Sequence, residues 1–377
     1  MSSFRPELLD DPQALLATDR GGLLRALAGS GAQVRRATQL TGEFGVERLR
    51  ADSAPRALLV ATDANAQCLP DLLAALASSA APVLDWPDAS LPPWAGPADA
   101  LLVVSLDGRH PRLAELTAVA DRRGLAVAVA APRDSPVAAA ARRHPVADLA
   151  HLGATPARAS WWALAAPALQ ALDALGLADA GPLMDEVADA LDAVAETERP
   201  DSSSVTGAAK LLAGELAEST PLVAGIGPIA TVAAGRIAAT IQLFAGVPAL
   251  AARLPDDAAR LGALLEFAAG PSDIFADEPE QSRLRPRLLL VGDDNPLGAR
   301  PDPVREGLGE AAGRRAADAL RELAGGRGLG VSRLLAPDAP ALVRFAVATA
   351  TADFAACYLA LASGVDPGAP RLGEPAL

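Results

Sequence analysis

Four short polar stretches carry the side chains of this 377-residue chain that could do chemistry. They are ATDANAQ (61–67), SLDGRHP (105–111), GIGPIA (225–230) and GDDNPLG (292–298), and each follows an apolar run. Thr62 and Asn65 in the first, and Ser105 and Arg109 in the second, sit in turns whose backbone N–H groups could hold a phosphate. Turns and helix caps also need Asp, Asn, Ser and Gly for purely local reasons, so both readings stand. His110 has the one side-chain type that titrates near neutral pH and could move a proton; a solvated loop histidine is the plainer alternative. Arg158, in GATPARAS (153–160), is a fixed fork suited to an enediolate or carboxylate oxygen, or else a surface arginine. GIG at 225–227 falls short of a dinucleotide fingerprint. Position 230 is Ala230, and VPALAARL (247–254) offers Arg253 rather than an acidic residue about 20 residues on.

Other chemistries are excluded by simple counts. Lys210 is the one lysine among 33 basic residues, and no GxxxxGK[ST] precedes it, which removes P-loop chemistry. Cys68 and Cys357 form no CxxC, and His110, His144 and His151 show no HxxxH spacing, so neither a disulfide framework nor a metal centre is expected, and with the P-loop and dinucleotide patterns missing no other cofactor is expected. Against 46 acidic residues the net charge is −13, which argues against a nucleic-acid partner. No membrane association is expected either. The N-terminus MSSFRPELLDDPQ lacks a basic region followed by an apolar stretch, and no run of about 20 uninterrupted apolar residues occurs. A cytoplasmic location is the expectation.

The polar stretches must be positioned by the runs that precede them. RALLVATDA (56–64), ALLVVSLDG (100–108) and LAVAVAAP (125–132) are apolar without alternation, as buried parallel strands are. Helical patterns at 69–78 and 111–122 lie between them, which gives an α/β layer. A leucine/alanine pattern over 7–40 predicts two helices, and helical text from 157 to 199 breaks at Gly181–Pro182. The polar, serine-rich ERPDSSSVTG (198–207) reads as a linker. Beyond it the pattern restarts: helix 207–218, strand 221–227, helix 229–245, short strand 247–250, strand 287–294, a helix near 309–323 and a final helix 339–362. The expected organisation is N-terminal helices over 1–40, a first α/β domain at 41–155, a helical connection at 156–206 and a second α/β domain at 207–377. Strand ends in such sheets converge on the ligand region.

This order of segments resembles the bifunctional phosphoglucose/phosphomannose isomerases, proteins with two sugar-isomerase (SIS) domains, in an alanine-rich actinobacterial branch. TADFAACYLALASGVDPGAP (351–370) is similar to that family's D-[YF]-x-S-x-Y-L-A-x-x-x-G-V-D-P-x-P ending. GATPARASWW (153–162) is similar to its G-x-x-P-R-x-x-x-G-Y segment, and GAAKLLAGELAESTPLVAGIG (207–227) to its N-P-A-K-x-L-A…P-[VI]-[IV]-Y-G passage. VPAL…LPDDAARLG (247–262) stands where the family has V-P-A…P-E-x-x-H-N-E. The resemblance implies two tandem SIS-type domains, each a doubly wound parallel sheet. It also implies aldose–ketose isomerisation of glucose 6-phosphate or mannose 6-phosphate through a cis-enediol, with a small phosphosugar as ligand and a homodimer as the assembly.

Position by position, most of the family's machinery is replaced. Its first phosphate turn, G-x-G-G-S, falls on Thr62–Ala66. Its second, S-x-S-G-x-T-x-E, falls on 105–112, where Ser105 and Gly108 match and Asp107 replaces the second serine. Its catalytic glutamate aligns with Leu243, its ring-opening histidine with Ala259, and its terminal lysine falls near Leu377. Arg158 alone keeps a catalytic identity. Thr62, Asn65, Ser105, Arg109 and His110 are expected to line the substrate region between the domains. The expected function is therefore a sugar-phosphate-binding SIS protein with weak or absent turnover, a possible pseudoenzyme. The alternatives are an active isomerase with displaced groups (Asp256, Asp257 or His110) and a non-enzymatic interaction protein.

Overall fold

The computed structural model describes residues 4–43, 45–50, 54–77, 81–152, 155–269, 285–292, 308–334 and 338–369. After a 3-10 turn at Pro6–Asp10 come α1 (Pro12–Thr18), α2 (Leu23–Ala28) and α3 (Ser30–Glu43). The leucine pattern predicts two helices here. A third arises because the buried Asp19 carboxylate accepts the N–H groups of Leu23 (2.8 Å) and Leu24 (3.0 Å), starting a new helix just after α1 ends.

Contacts divide the chain into two compact units, residues 25–193 and residues 1–24 together with 194–377. The first contains β1 (Leu58–Thr62), α4 (Leu69–Leu76), β2 (Val83–Asp85), β3 (Ala100–Val104), α5 (Pro111–Arg123), β4 (Ala126–Ala131), α6 (Pro136–Ala141), β5 (Val146–Asp148), α7 (Trp161–Ala174) and most of α8 (Met184–Thr197). All five strands are parallel, in the order β2-β1-β3-β4-β5. Period-two alternation sends Leu59, Ala61, Leu101, Val103, Val127 and Val129 to one face, against Leu113 and Leu116 of α5 and Val137 of α6. Leu102, Ala128 and Ala130 face the other way, toward Pro167 and Ala171 of α7. Both faces are covered, so the strands are continuous apolar runs. The short strand β5 and helix α6 are not foreseen, because a three-residue edge strand carries no period.

The second unit contains α9 (Ala208–Leu216), β6 (Thr220–Ile226), α10 (Pro228–Ala245), β7 (Leu250–Leu254), α11 (Ala258–Ala269), β8 (Pro286–Val291), α12 (Leu308–Gly326), β9 (Val331–Leu334) and α13 (Ala341–Ala362). Its four described strands are also all parallel, ordered β7-β6-β8-β9. Leu222, Ala224, Ile226, Leu288 and Leu290 pack against Leu261 and Leu265 of α11 and Leu320 of α12. α10 lies against β6 and β7. The short strand expected at 247–250 instead runs from Leu250 to Leu254: it is an edge strand whose Ala251 and Arg253 face outward, so its apolar signal is broken. Strand β9 and helix α11 are likewise additions to the expected elements.

α10 and α13 are long and apolar enough to cross a membrane, but 94% of the α13 window is buried inside the protein. α13 is a core helix, packed on α9 and α10. Its one buried acid, Asp353, takes a two-pronged bond from Arg236 of α10 (2.8 and 2.7 Å) and a hydroxyl from Thr240 (3.3 Å). The serine-rich stretch 198–207 is pinned within this unit. Lys210 Nζ donates to the carbonyls of Pro200 and Ser202, both at 2.7 Å, and the Ser204 hydroxyl donates to Asp10 at 2.6 Å.

Candidate functional site

In a sheet ordered 2-1-3-4-5 the chain switches direction at the β1/β3 boundary, and ligands of such sheets sit outside the strands' carboxyl ends there. In the unit of residues 25–193 this places Thr62 and Ser105 together. Thr62 pairs in register with Val104, and Ser105 follows directly. Ser105 is fully buried, whereas Thr62 and Asn65 are half-buried. Asn65 lies in the 3-10 turn Ala64–Ala66 that leaves β1.

The group that organises these residues is Asp63, which the sequence reading did not single out. Its Oδ1 accepts the Asn65 N–H at 2.9 Å. Its Oδ2 accepts both the Ser105 hydroxyl (2.9 Å) and the Leu106 N–H (2.8 Å). The Ser105 oxygen in turn accepts the Gly108 N–H at 3.0 Å, which folds the turn back on itself. Gly108 has φ +63, and a Cβ there would collide with the Ser135 side chain at the start of α6. Only glycine fits that approach. Asp107, which stands where the resemblance has the second serine of a phosphate turn, is exposed and accepts the Arg109 N–H at 2.9 Å. The carboxylate that matters is one turn away, on the neighbouring strand.

Arg109 and His110 are both exposed, and His110 stands at the N-cap of α5 with no side-chain cap bond. Arg112, another residue the sequence did not flag, reaches across the strand ends. It donates to the Thr62 carbonyl (2.7 Å) and the Trp86 carbonyl (3.1 Å), satisfying main-chain acceptors that β1 and β2 leave behind. Arg158 is half-buried in the 3-10 turn Ala157–Ala159 that leads into α7. That turn is tied to the β1 end through Trp161, whose indole N–H donates to the Gln67 carbonyl at 2.9 Å. Thr62, Asn65 and Ser105 thus lie at the ends of β1 and β3, Arg109 and His110 follow in the same turn as Ser105, and the turn bearing Arg158 is tied to the end of β1 through Trp161.

In the second unit, Leu243 lies on α10 with 38% of its surface exposed, and Ala259 is exposed at the start of α11. Neither side chain can carry a proton. Asp257 accepts the Arg253 N–H at 2.8 Å, and this bond holds its carboxyl below the usual range, a poor setting for a general acid. The GIG turn is a close strand–helix approach: a Cβ on Gly225 would collide with the backbone of Ala230, and one on Gly227 (φ +83) would lie 2.9 Å from a Glu310 carboxylate oxygen. Of the GDDNPLG stretch, all but Gly292 lies outside the described residues, as does Leu377. Among the described residues, no group of three or more His, Cys, Asp or Glu side chains is placed to hold a metal.

Residues 206–371 match the family of the bacterial phospho-glucose isomerase C-terminal SIS domain. No curated protein matches the chain by sequence. Among solved structures, a hypothetical protein of Thermus thermophilus is similar at 17% identity with a TM-score of 0.66, covering 96% of this chain and 90% of that one. The tagatose-6-phosphate ketose/aldose isomerase of Escherichia coli is similar at 13% identity and a TM-score of 0.58, covering 96% and 97%. The C-terminal domain of glucosamine-fructose-6-phosphate aminotransferase from Francisella tularensis is similar at 11% identity and 0.53, covering 93% and 96%. At these identities the likeness is one of fold, and it supports two tandem SIS-type, doubly wound domains. The sequence match thus assigns residues 206–371 to the C-terminal SIS domain of the bacterial phospho-glucose isomerases, and the likeness of fold extends over the rest of the chain.

Proposed function

We propose that this chain is a sugar-phosphate-binding SIS protein that has lost most or all isomerase turnover. The match of residues 206–371 to a phospho-glucose isomerase SIS domain supports a small phosphosugar as ligand. The observation that carries the loss is the pair Leu243 and Ala259, an aliphatic side chain and a methyl group where the resemblance puts the glutamate and the histidine. Proton transfer between adjacent sugar carbons needs a group that takes and returns a proton, and losing it typically costs about 10²–10⁴-fold in rate. Thr62, Asn65, Ser105, Arg109, His110 and Arg158 form the proposed binding edge, with Arg158 facing the enediolate position. Glucose 6-phosphate and mannose 6-phosphate are the proposed ligands, and a cytoplasmic homodimer the proposed form.

The test has two arms. Coupled assays with glucose 6-phosphate, fructose 6-phosphate and mannose 6-phosphate are expected to show no turnover above background. Thermal shift with the same sugars is expected to show a rise, because a ligand of the folded state alone raises apparent stability. Arg158→Ala is expected to reduce that rise. Robust isomerisation abolished by Arg158→Ala establishes instead an active isomerase with displaced groups. No thermal response to any phosphosugar leaves an interaction protein.

A further inference from the structure

At the β1/β3 switch point the two strand ends meet around a carboxylate that belongs to the chain. Asp63 sits between the two strand ends with three donors converging on its carboxylate: the Asn65 N–H, the Ser105 hydroxyl and the Leu106 N–H. Two of these come from the neighbouring strand's turn and meet at the same oxygen, Oδ2, at 2.9 and 2.8 Å. A hydroxyl has one proton to donate and a peptide one N–H, so while they are bound to Asp63 these donors cannot also serve an incoming oxyanion. Ser105 is completely buried in this arrangement. We propose that Asp63 is an internal competitor for phosphate at this site: its carboxylate occupies the place a phosphoryl oxygen would take, and it sets the affinity for phosphorylated ligands low.

Three features make the position a built site rather than an incidental cap. The Ser105 oxygen is fixed from behind by the Gly108 N–H at 3.0 Å. The Gly108 carbonyl is itself fixed by the Val137 N–H at 3.1 Å, so the turn is braced by the next helix. Above it, Arg109 and His110 are exposed, with side chains that suit an anionic ligand. A phosphate arriving there meets a preformed cradle whose occupant must leave. It also meets the repulsion of that occupant's negative charge.

The inference rests on the proposed ligand class, and its test separates the two. Inorganic phosphate and glucose 6-phosphate are titrated calorimetrically into the full chain, with glucose as the uncharged control. Asp63→Ser keeps an oxygen for the Asn65 N–H and removes the charge; Asp63→Asn is the isosteric second variant should the first fail to fold by circular dichroism. The folded variant is expected to bind phosphate and glucose 6-phosphate at least tenfold more tightly than the parent, with glucose unchanged. Affinities equal within threefold, or no phosphate binding by either folded variant, overturn it. A parent that ignores phosphosugars beside a variant that binds them refutes the proposed function and upholds the competitor. A parent and variant that bind phosphosugars equally do the reverse.

Discussion

The ammonium of Lys210 lies 5.3 Å from the centroid of the Tyr358 ring, and the Tyr358 hydroxyl donates to the Glu198 carbonyl at 2.5 Å. The only lysine in the chain is thus enclosed by an aromatic face and by two carbonyls, those of Pro200 and Ser202. It is completely buried, and that burial pulls its pKa below the usual lysine value. Two of its N–H groups are bonded and the Tyr358 ring faces its charge, so its work is to hold residues 198–207 onto α9 and α13. Tyr358→Phe keeps the ring and loses one hydrogen bond, so urea unfolding is expected to show a loss of about 1 kcal/mol. Lys210→Met leaves both carbonyls without their donor and is expected to cost more, about 1–3 kcal/mol. A Lys210→Met chain as stable as the parent would refute the clamp.

Glu198 gives the same cluster a pH signature. Burial pushes its carboxyl above the usual range, against the pull of the Ala209 and Ala208 N–H groups and of Lys210. A raised folded pKa means that the folded state holds the proton more tightly than the unfolded one. The stabilisation it provides is complete below the unfolded value of 4.5 and is lost as pH rises through the folded value. Glu198→Gln keeps an oxygen for the Ala209 N–H, 3.0 Å away in the parent, and cannot ionise. The melting temperature of the parent minus that of the variant is expected to fall as pH rises from 4.5. A difference that is flat or rises over that interval contradicts the assignment.

The buried pair Arg236–Asp353 is expected to be asymmetric in its response. Both side chains are under a tenth exposed. Asp353→Ala removes the buried carboxylate to which two guanidinium nitrogens are bonded, at a cost of about 3–5 kcal/mol. Replacing both partners, by Arg236→Met with Asp353→Leu, removes both charges and fills the space with apolar side chains, so the double variant is expected to be more stable than Asp353→Ala alone. Urea midpoints of the three chains decide it.

The sequence reading reached the strands that are buried on both faces and stopped at those that are not. Leu58–Ala61 and Ala100–Val104 announce themselves because helices cover both faces of the sheet, so no polar residue interrupts them. β7, β5 and β9 are short or at a sheet edge, where outward residues such as Arg253 dilute the signal. At the site, Ser105 and Gly108 were legible as turn residues. The role of Asp63 was not, because Ser105 and Leu106 are 42 and 43 positions away and become its neighbours only once β1 lies beside β3. Asp107 is the acid next to Ser105 in sequence, yet the carboxylate that engages the Ser105 hydroxyl is Asp63, brought in by the pairing of β1 with β3.

Gly108 offers the sharpest test of how the turn at Ser105 is built. With φ +63 it adopts a left-handed conformation that costs an L-residue about 1–2 kcal/mol. Gly124, which ends α5 at φ +77, carries the same conformational demand. The two differ in surroundings. A Cβ at 124 would lie in ordinary contact, 3.4 Å from Pro97, whereas one at 108 would collide with Ser135, whose Oγ accepts the Ala138 N–H at 3.3 Å to cap α6. Gly124→Ala is therefore expected to cost the backbone strain alone. Gly108→Ala is expected to cost that strain plus displacement of the Ser135 cap, a further loss of about 1 kcal/mol. The displaced turn would also pull the Gly108 N–H from Ser105, so Gly108→Ala added to Asp63→Ser is expected to abolish the phosphate affinity that Asp63→Ser alone creates. Denaturant unfolding measures the first difference and calorimetry the second. Equal costs at 108 and 124 would mean that α6 does not brace the turn.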